Sequence, residues 1–411
     1  MTDLLETLVA HYQKALIIKP DSATLYRKIA QLYQGFFDYE KATFYNLKAI
    51  QLKPDLFAAY YFLYWSLLLL NSLEQKNSEL LLEQGIEILQ QNIINQPDFP
   101  FARVVLGKLL VQQGQIEKAK VCYQQASFQQ ISHSHPQLVK SAWNKSQKRQ
   151  PDFLVLGFPK CGTTSLYAYL TTHPQILPAV GKELGYFSHS PIHDLDYYLS
   201  YFPAIADKNY LTGEATAAYI MYPNIAKRIL NWFPNIKLIV LLRNPVERTI
   251  SQFYASDQYS KKSLSGVHTL NLNLVRRKII PIREYLKLEK DEKIDFSIKL
   301  REAYLNNVEN YLSMHIASSL YVDYFREWLN VFPKEQFLIL KSEKLFANPA
   351  VTMKQVYNFL NLPECPQTEY RNWNSNTYPP TSPTLRQQLA EFFQPYNQEL
   401  EEYLGMTFNW Q

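Results

Sequence analysis

Cysteine is nearly absent from these 411 residues: Cys122, Cys161 and Cys365 are the three, and none forms a C-x-x-C pair. A sparse, odd set excludes a disulfide scaffold and points to a reducing compartment. Strong charge of either sign is also missing. With 42 Lys and Arg against 37 Asp and Glu, the net charge of +5 is too mild for a nucleic-acid footprint, though it suits an anionic ligand. Met1–Glu6 has no basic stretch followed by an apolar one, so no secretory signal is expected and the cytoplasm is the expected location. One uncharged run, Leu56 to Leu73, reaches 18 residues, the lower edge of a membrane span. It is rich in tyrosine and lacks a basic flank to set an orientation. A buried helix is the better reading, and no membrane span is expected.

What is present falls into two parts. Ala15, Pro20 and Asp21 recur 34 residues later as Ala49, Pro54 and Asp55. Tyr26, Ile29, Ala30, Tyr33, Tyr39 and Ala42 fill the interval at the positions of a tetratricopeptide repeat, with Asn46 the poor match. A third repeat starts near Phe57, in register with the uncharged run. It closes late at Pro97-Asp98, which implies an insertion around residues 72–79. A fourth is readable from Phe101 through Leu106-Gly107, Gly114, Ala119, Tyr123 and Ala126. Residues 1–140 are therefore expected to form an all-α tetratricopeptide solenoid, whose groove offers a surface for a protein partner. Residues 141–151 read as a linker, because Ser, Gln, Lys and Pro replace the apolar period. Residues 152–411 form the second part, expected to fold without the first.

That part opens with Phe153-Leu-Val-Leu-Gly157-Phe-Pro159-Lys160-Cys161-Gly162-Thr163-Thr164-Ser165, a buried strand, a glycine-framed loop and a helix start. Gly157 and Gly162 keep the frame of a Walker A loop, but Thr163 stands where its lysine belongs, and the lysine sits earlier, at Lys160. Backbone N–H groups at such a turn can still cradle a phosphate. The apparatus for a Mg-bound triphosphate is missing. A second apolar run, Ile236–Leu242, reads as a parallel strand buried on both faces. It ends in Arg243, where a kinase or ATPase would place a metal-binding Asp. Asn244 then suits an N-cap and Pro245 a first helical residue, which puts Ser251 about two turns into a helix.

Together these loops resemble the two phosphate loops of the sulfotransferases, which use 3′-phosphoadenosine 5′-phosphosulfate (PAPS). From Asp152 to Gln411 the chain is similar to the heparan sulfate type and its bacterial relatives. The resemblance is carried also by Lys182-Glu183-Leu-Gly-Tyr186-Phe187, Gly213-Glu214-Ala-Thr216, Trp328–Pro333 and Phe392–Asn397. It implies an α/β fold, a parallel sheet flanked by helices. It also implies PAPS as co-substrate, no metal, and a carbohydrate or glycolipid acceptor. Alternatives are a protein-tyrosine or small-metabolite acceptor, or an inactive fold acting as a scaffold through the repeats. Lys160, Cys161, Gly162, Thr163, Thr164 and Ser165 match the 5′-phosphosulfate loop, and Arg243 and Ser251 match the 3′-phosphate pair. Glu183, in the motif E-x-x-[FY]-F, matches the catalytic base, and Lys160 is the second catalytic candidate, stabilising the leaving phosphate oxygen. Ala215 and Gly185 depart from the family on the acceptor side, which leaves the acceptor open.

Weaker signals remain. His189 and His193 are four apart, but Pro191 between them spoils a helical metal pair. Cys161 beside Lys160 sits where positive charge would lower a thiol pKa, yet nothing else marks it as a nucleophile. Basic residues gather at Lys261-Lys262, Arg276-Arg277-Lys278 and Arg283, within a 258–300 segment that reads as an acceptor-cleft lining or a solvated helical face.

Overall fold

A computed structural model describes residues 2–72, 77–188, 194–256, 308–365, 369–373 and 378–410. The 258–300 basic segment, His189 and His193 lie outside the described residues. The amino-terminal half is a run of helices: α1 (Thr2–Ile18), α2 (Ala23–Gly35), α3 (Tyr39–Leu52), α4 (Phe57–Ser72), α5 (Ser78–Asn95), α6 (Pro100–Gln112), α7 (Ile116–Ser134) and α8 (Pro136–Ala142). Each packs mainly on its neighbours in sequence. Small residues at the crossings make this possible: Ala30, Ala42, Ala49 and Ala126 are fully buried. At Gly107 the fit is tighter still, since a Cβ there would stand 2.4 Å from the Tyr123 ring on α7. Starts and stops follow local chemistry. Asp38 caps α3 by accepting the Lys41 N–H at 3.0 Å, and prolines open α6 and α8. The uncharged run becomes α4, with Leu63, Leu67 and Leu70 in the core. Among the described residues, no helix is long and apolar enough to cross a membrane.

The second half is an α/β layer. Its elements are β1 (Phe153–Gly157), α9 (Thr163–Leu170), β2 (Ile176–Pro178), α10 (Leu195–Leu199), β3 (Leu211–Ala215), α11 (Pro223–Trp232), β4 (Lys237–Leu242) and α12 (Pro245–Ser256). After the undescribed stretch come α13 (Val308–Ala317), α14 (Tyr321–Leu329), β5 (Phe337–Lys341), α15 (Ser342–Ala347), α16 (Pro349–Leu360) and α17 (Pro383–Leu404). The strands form one parallel sheet in the order β2-β3-β1-β4-β5. Both apolar runs are where the sequence places strands. β1 is buried at every residue and β4 at all but Lys237, as helices on both faces require. Phe153 pairs with Gly213 on one side and Lys237 on the other. A Cβ at Gly213 would meet the Phe153 carbonyl at 2.4 Å. The chain runs from β1 to the edge strand β2, comes back to β3, and then crosses β1 to reach β4 and β5. The switch point therefore lies between β1 and β4, outside whose carboxyl ends ligands bind in such sheets.

The two halves are in extensive contact. Tyr123 of α7 is fully buried, its ring 4.4 Å from that of Tyr201 and its hydroxyl 3.4 Å from that of Tyr197. Ile131 and Val139 share a small core with Leu177 and Ile205. The segment expected as a linker is itself fastened. Trp143 bridges Ile205, the Asn144 N–H donates to the Ala204 carbonyl at 2.9 Å, and Arg149 donates to the Tyr210 carbonyl and to Asp152 at 2.6 and 2.8 Å. Tyr123→Ala should therefore lower the stability of the whole chain by about 3–5 kcal/mol, the cost of an aromatic-sized cavity. The check is a denaturant melt followed by far-ultraviolet and aromatic signals. Both should shift together; two separated transitions with only one displaced would show that the halves fold independently.

Candidate active site

The loop after β1 is shaped by its backbone. Gly157 has φ +148 and no room for a side chain, since a Cβ would lie 2.7 Å from the Leu241 carbonyl oxygen. Gly162, at φ +90, is the N-cap of α9 and is covered by the Phe346 ring, 2.6 Å from where a Cβ would stand. Between them Lys160 takes φ +76, a left-handed conformation uncommon for a residue with a side chain. Ser342 fastens the loop to the sheet, its hydroxyl reaching the carbonyls of Cys161 and Leu242. The result is a turn with the first N–H groups of α9 free of intrahelical partners, an anion cradle.

Two cations close this cradle. Lys160 is half-buried; burial first, and the Arg243 charge second, hold its ammonium below the usual lysine pKa. Arg243 stands just past the end of β4, and its guanidinium donates to the Lys160 carbonyl at 3.1 Å. Neither meets a carboxylate among the described residues. Asn244 caps α12 as expected, accepting from the Val246 N–H at 2.9 Å. Ser251 is buried on that helix, with its hydroxyl 2.6 Å from the hydroxyl of Tyr378. Tyr378 in turn stacks on Tyr254, with ring centroids 5.3 Å apart.

Not every loop residue faces the cradle. Cys161 is fully buried with its Sγ 3.9 Å from the Tyr321 hydroxyl, so only its backbone is available. The expected lowering of its pKa is reversed: burial pushes the thiol up, outweighing the nearby Arg248 and Arg243 charges. The Ser165 hydroxyl is also buried and accepts the Trp373 N–H at 3.0 Å. Thr163 is buried with its methyl facing Gly157, while Thr164 is half-buried in the first turn. Arg248 escaped the sequence reading. It is 1% exposed, yet its guanidinium donates to the Pro159 carbonyl at 3.2 Å, the His315 carbonyl at 2.9 Å and the Ser319 hydroxyl at 2.8 Å. It braces the loop from beneath and adds a positive charge below the cradle that pairs with no carboxylate among the described residues.

Glu183 lies beyond the carboxyl end of β3, on the other side of β1 from Arg243. Its N–H donates to the Ala215 carbonyl at 2.8 Å, and its carboxylate accepts the Ala217 N–H at 3.2 Å and pairs with Lys182. The side chain is 45% exposed and φ is +57, a second left-handed residue with a side chain. Beneath it Glu214, fully buried on β3, accepts from the hydroxyls of Tyr198, Tyr219 and Thr216 at 3.0, 3.1 and 2.6 Å. Thr216 accepts the Gly185 N–H at 3.1 Å, so Glu214 anchors the loop that carries Glu183. Burial pushes Glu214 up to about 7, against the lowering by those hydroxyls.

This sets a pH dependence. A carboxyl with its folded pKa raised from 4.5 to about 7 contributes most below pH 4.5, and the fold loses that contribution as pH rises to about 7. The loss approaches about 3 kcal/mol. Glu214→Gln should remove it. Denaturant midpoints of wild type and variant measured at pH 5 and pH 8 should differ most at pH 8, in favour of the variant. Equal pH profiles would show that Glu214 stays ionised throughout.

Sheet order thus sets the anion cradle in the middle, Arg243 and Ser251 to one side, and Glu183 to the other. A separate cleft of about 990 Å³, lined by Arg149, Asp152, Lys208 and Lys237 among others, lies at the amino ends of the strands, away from all of these. Among the described residues no group of three or more His, Cys, Asp or Glu is placed to hold a metal.

An α/β protein with an anion cradle, two convergent cations and a carboxylate across the switch point is the class this geometry defines. The sulfotransferase domain family matches residues 150–384, and the chain belongs to that family. It is similar to the membrane-associated sulfotransferase kil1 of Dictyostelium discoideum, 27% identical over 64% of this chain and 66% of the relative. It is similar also to human carbohydrate sulfotransferase 15, at 28% identity over 63% of this chain and 54% of that protein. Mouse heparan sulfate glucosamine 3-O-sulfotransferase 5 is 25% identical over 63% and 74%. The chain thus spans between about half and two thirds of the length of the first two. A solved sulfotransferase from Alicyclobacillus acidocaldarius superposes with a TM-score of 0.45 at 24% identity, covering 63% of this chain and 98% of that one.

Proposed function

We propose that the chain is a cytoplasmic enzyme that moves the sulfuryl group of PAPS to a hydroxyl or amine of a carbohydrate or glycolipid acceptor. The observation that carries this is the pair of cations, Lys160 and Arg243, converging on a helix-opening loop and meeting no carboxylate among the described residues. A nucleotide kinase would need a metal-binding acid there. Residues fit the donor in its parts. The loop N–H groups and Thr164 suit the 5′-phosphosulfate, and Arg243 with the Ser251–Tyr378 pair suits the 3′-phosphate. As the acceptor oxygen bonds to sulfur, its proton passes to Glu183 and the bond from sulfur to the phosphate oxygen breaks. Lys160 stabilises the charge left on that oxygen. The relatives named for carbohydrate and heparan sulfate transfer support the acceptor class.

The domain division is part of the same reading: a tetratricopeptide solenoid over residues 1–140, a joining segment 141–151, and the sulfotransferase domain over 152–411. The helical packing of α1–α8 and the 34-residue period support it. The test is transfer of labelled sulfate from PAPS to a lysate separated into glycans, lipids and proteins. Label in the glycan or glycolipid fraction is the expected result; label confined to protein would move the acceptor to tyrosine. Mg-dependent ATP turnover without sulfate transfer would overturn the reading.

A further inference from the structure

The helical half does more than pack against the sheet; it reaches the surroundings of Glu183. Gly107 on α6 presses on Tyr123, Tyr123 packs on Tyr201 and Tyr197, and the Tyr197 ring lies 5.8 Å from that of Tyr186, three residues past Glu183. The next residue of α6 is Lys108. Its ammonium stands 4.4 Å from the centroid of the Tyr64 ring on α4, within electrostatic reach of Glu183 and Glu214. Tyr61, one turn earlier on α4, also feels the Glu183 charge. Lys108 is half-buried, and its ammonium makes no hydrogen bond or ion pair with any described residue. Burial pulls its pKa down to about 8, with Glu183 and Glu214 drawing it back up.

A lysine kept only to cover apolar surface would carry its head into water, at its ordinary pKa. Lys108 instead holds its head over an aromatic face, within electrostatic reach of the candidate base, with three N–H donors to offer. An ammonium so placed is complementary to a singly charged anion approaching Glu183. The sulfotransferase domain family match begins at residue 150, so this cation comes from outside the matched domain.

We propose that both halves of the chain build the acceptor cleft, and that Lys108 is a specificity-determining residue that receives the carboxylate of an acidic sugar while Glu183 meets the hydroxyl or amine to be sulfated. This rests on the sulfotransferase reading above. The selectivity then belongs to the intact chain, because α4 and α6 hold the cation.

The experiment uses the full chain saturated with adenosine 3′,5′-bisphosphate. The probes are a glucuronate-containing oligosaccharide and the same oligosaccharide with its carboxylates reduced to alcohols. Wild type should bind the charged form at least tenfold more tightly, and Lys108→Met should abolish that preference without changing affinity for the reduced form or the nucleotide. Lys108→Arg should keep it. In wild type the preference should fall as pH rises through about 8, because the ammonium loses its proton; in Lys108→Arg it should not. A wild type with no preference, or a Met variant that retains it, overturns the proposal and leaves the donor site standing. Failure of wild type to bind the nucleotide would overturn the functional reading and this proposal with it.

Discussion

Glu183→Gln should lower sulfate transfer by about 10²–10⁴ and leave affinity for adenosine 3′,5′-bisphosphate at the wild-type level. The substitution keeps shape and the acceptance of the Ala217 N–H, so the loop should hold its place. It loses the ion pair with Lys182, but at 45% side-chain exposure that pair contributes on the order of 1 kcal/mol or less. What disappears is the proton acceptor. The backbone argues that this position is set for chemistry: φ of +57 in a residue with a side chain costs on the order of 1–3 kcal/mol, and such strain gathers at active sites. Glu214→Gln is the control. Its carboxylate is buried behind three hydroxyls and cannot touch an acceptor, so its effect on turnover should stay well below that of Glu183→Gln. Full activity in Glu183→Gln on the true acceptor would remove it as the base and turn attention to His189 and His193.

The features legible in the sequence are those that physics writes into local pattern. Uninterrupted apolar runs gave β1 and β4, because a strand covered on both faces has no polar side. Asn244-Pro245 announced the start of α12, because capping is a local transaction between neighbours. The displaced lysine and the arginine at the strand end were visible as departures from a known arrangement. Their convergence was not, because it depends on β1 and β4 being adjacent in the sheet.

Contacts between distant segments stayed hidden. Tyr378 meets Ser251 across 127 positions, and Ser342 fastens the loop from 181 positions away. The run Arg243–Ser251 contains Arg248, yet nothing local says that its guanidinium turns inward to the Pro159 carbonyl. Cys161 shows the opposite error. Proximity to Lys160 in sequence suggested an activated thiol, but alternate positions of a tight turn face opposite ways, and the thiol points into the core where desolvation dominates. The left-handed conformations of Lys160 and Glu183 carry no compositional mark, since neither is glycine or asparagine. Lys108 is the extreme case: the repeat pattern makes it one more surface lysine on a helix, and only the docking of α6 brings it within electrostatic reach of Glu183.

Arg243→Lys should weaken adenosine 3′,5′-bisphosphate by about tenfold to a hundredfold while barely changing the affinity for AMP. The guanidinium already spends one N–H on the Lys160 carbonyl, and its remaining donors form a planar fork that can engage two oxygens of a 3′-phosphate. A lysine offers a point charge and cannot also brace the loop. Each charge-assisted hydrogen bond lost is worth about 1.5–3 kcal/mol, which sets the size of the effect. The Ser251–Tyr378 pair refines the expectation. Two hydroxyls 2.6 Å apart use one proton between themselves and leave one O–H for a phosphate oxygen. Tyr378→Phe frees Ser251 to donate directly, so its cost should be smaller than that of Ser251→Ala. Wild type should accordingly prefer adenosine 3′,5′-bisphosphate over ADP, because only the former places a charge between Arg243 and Ser251. Calorimetry showing equal affinity for the two would take both residues out of the donor site, and Arg243 would then be a brace for the Lys160 turn alone.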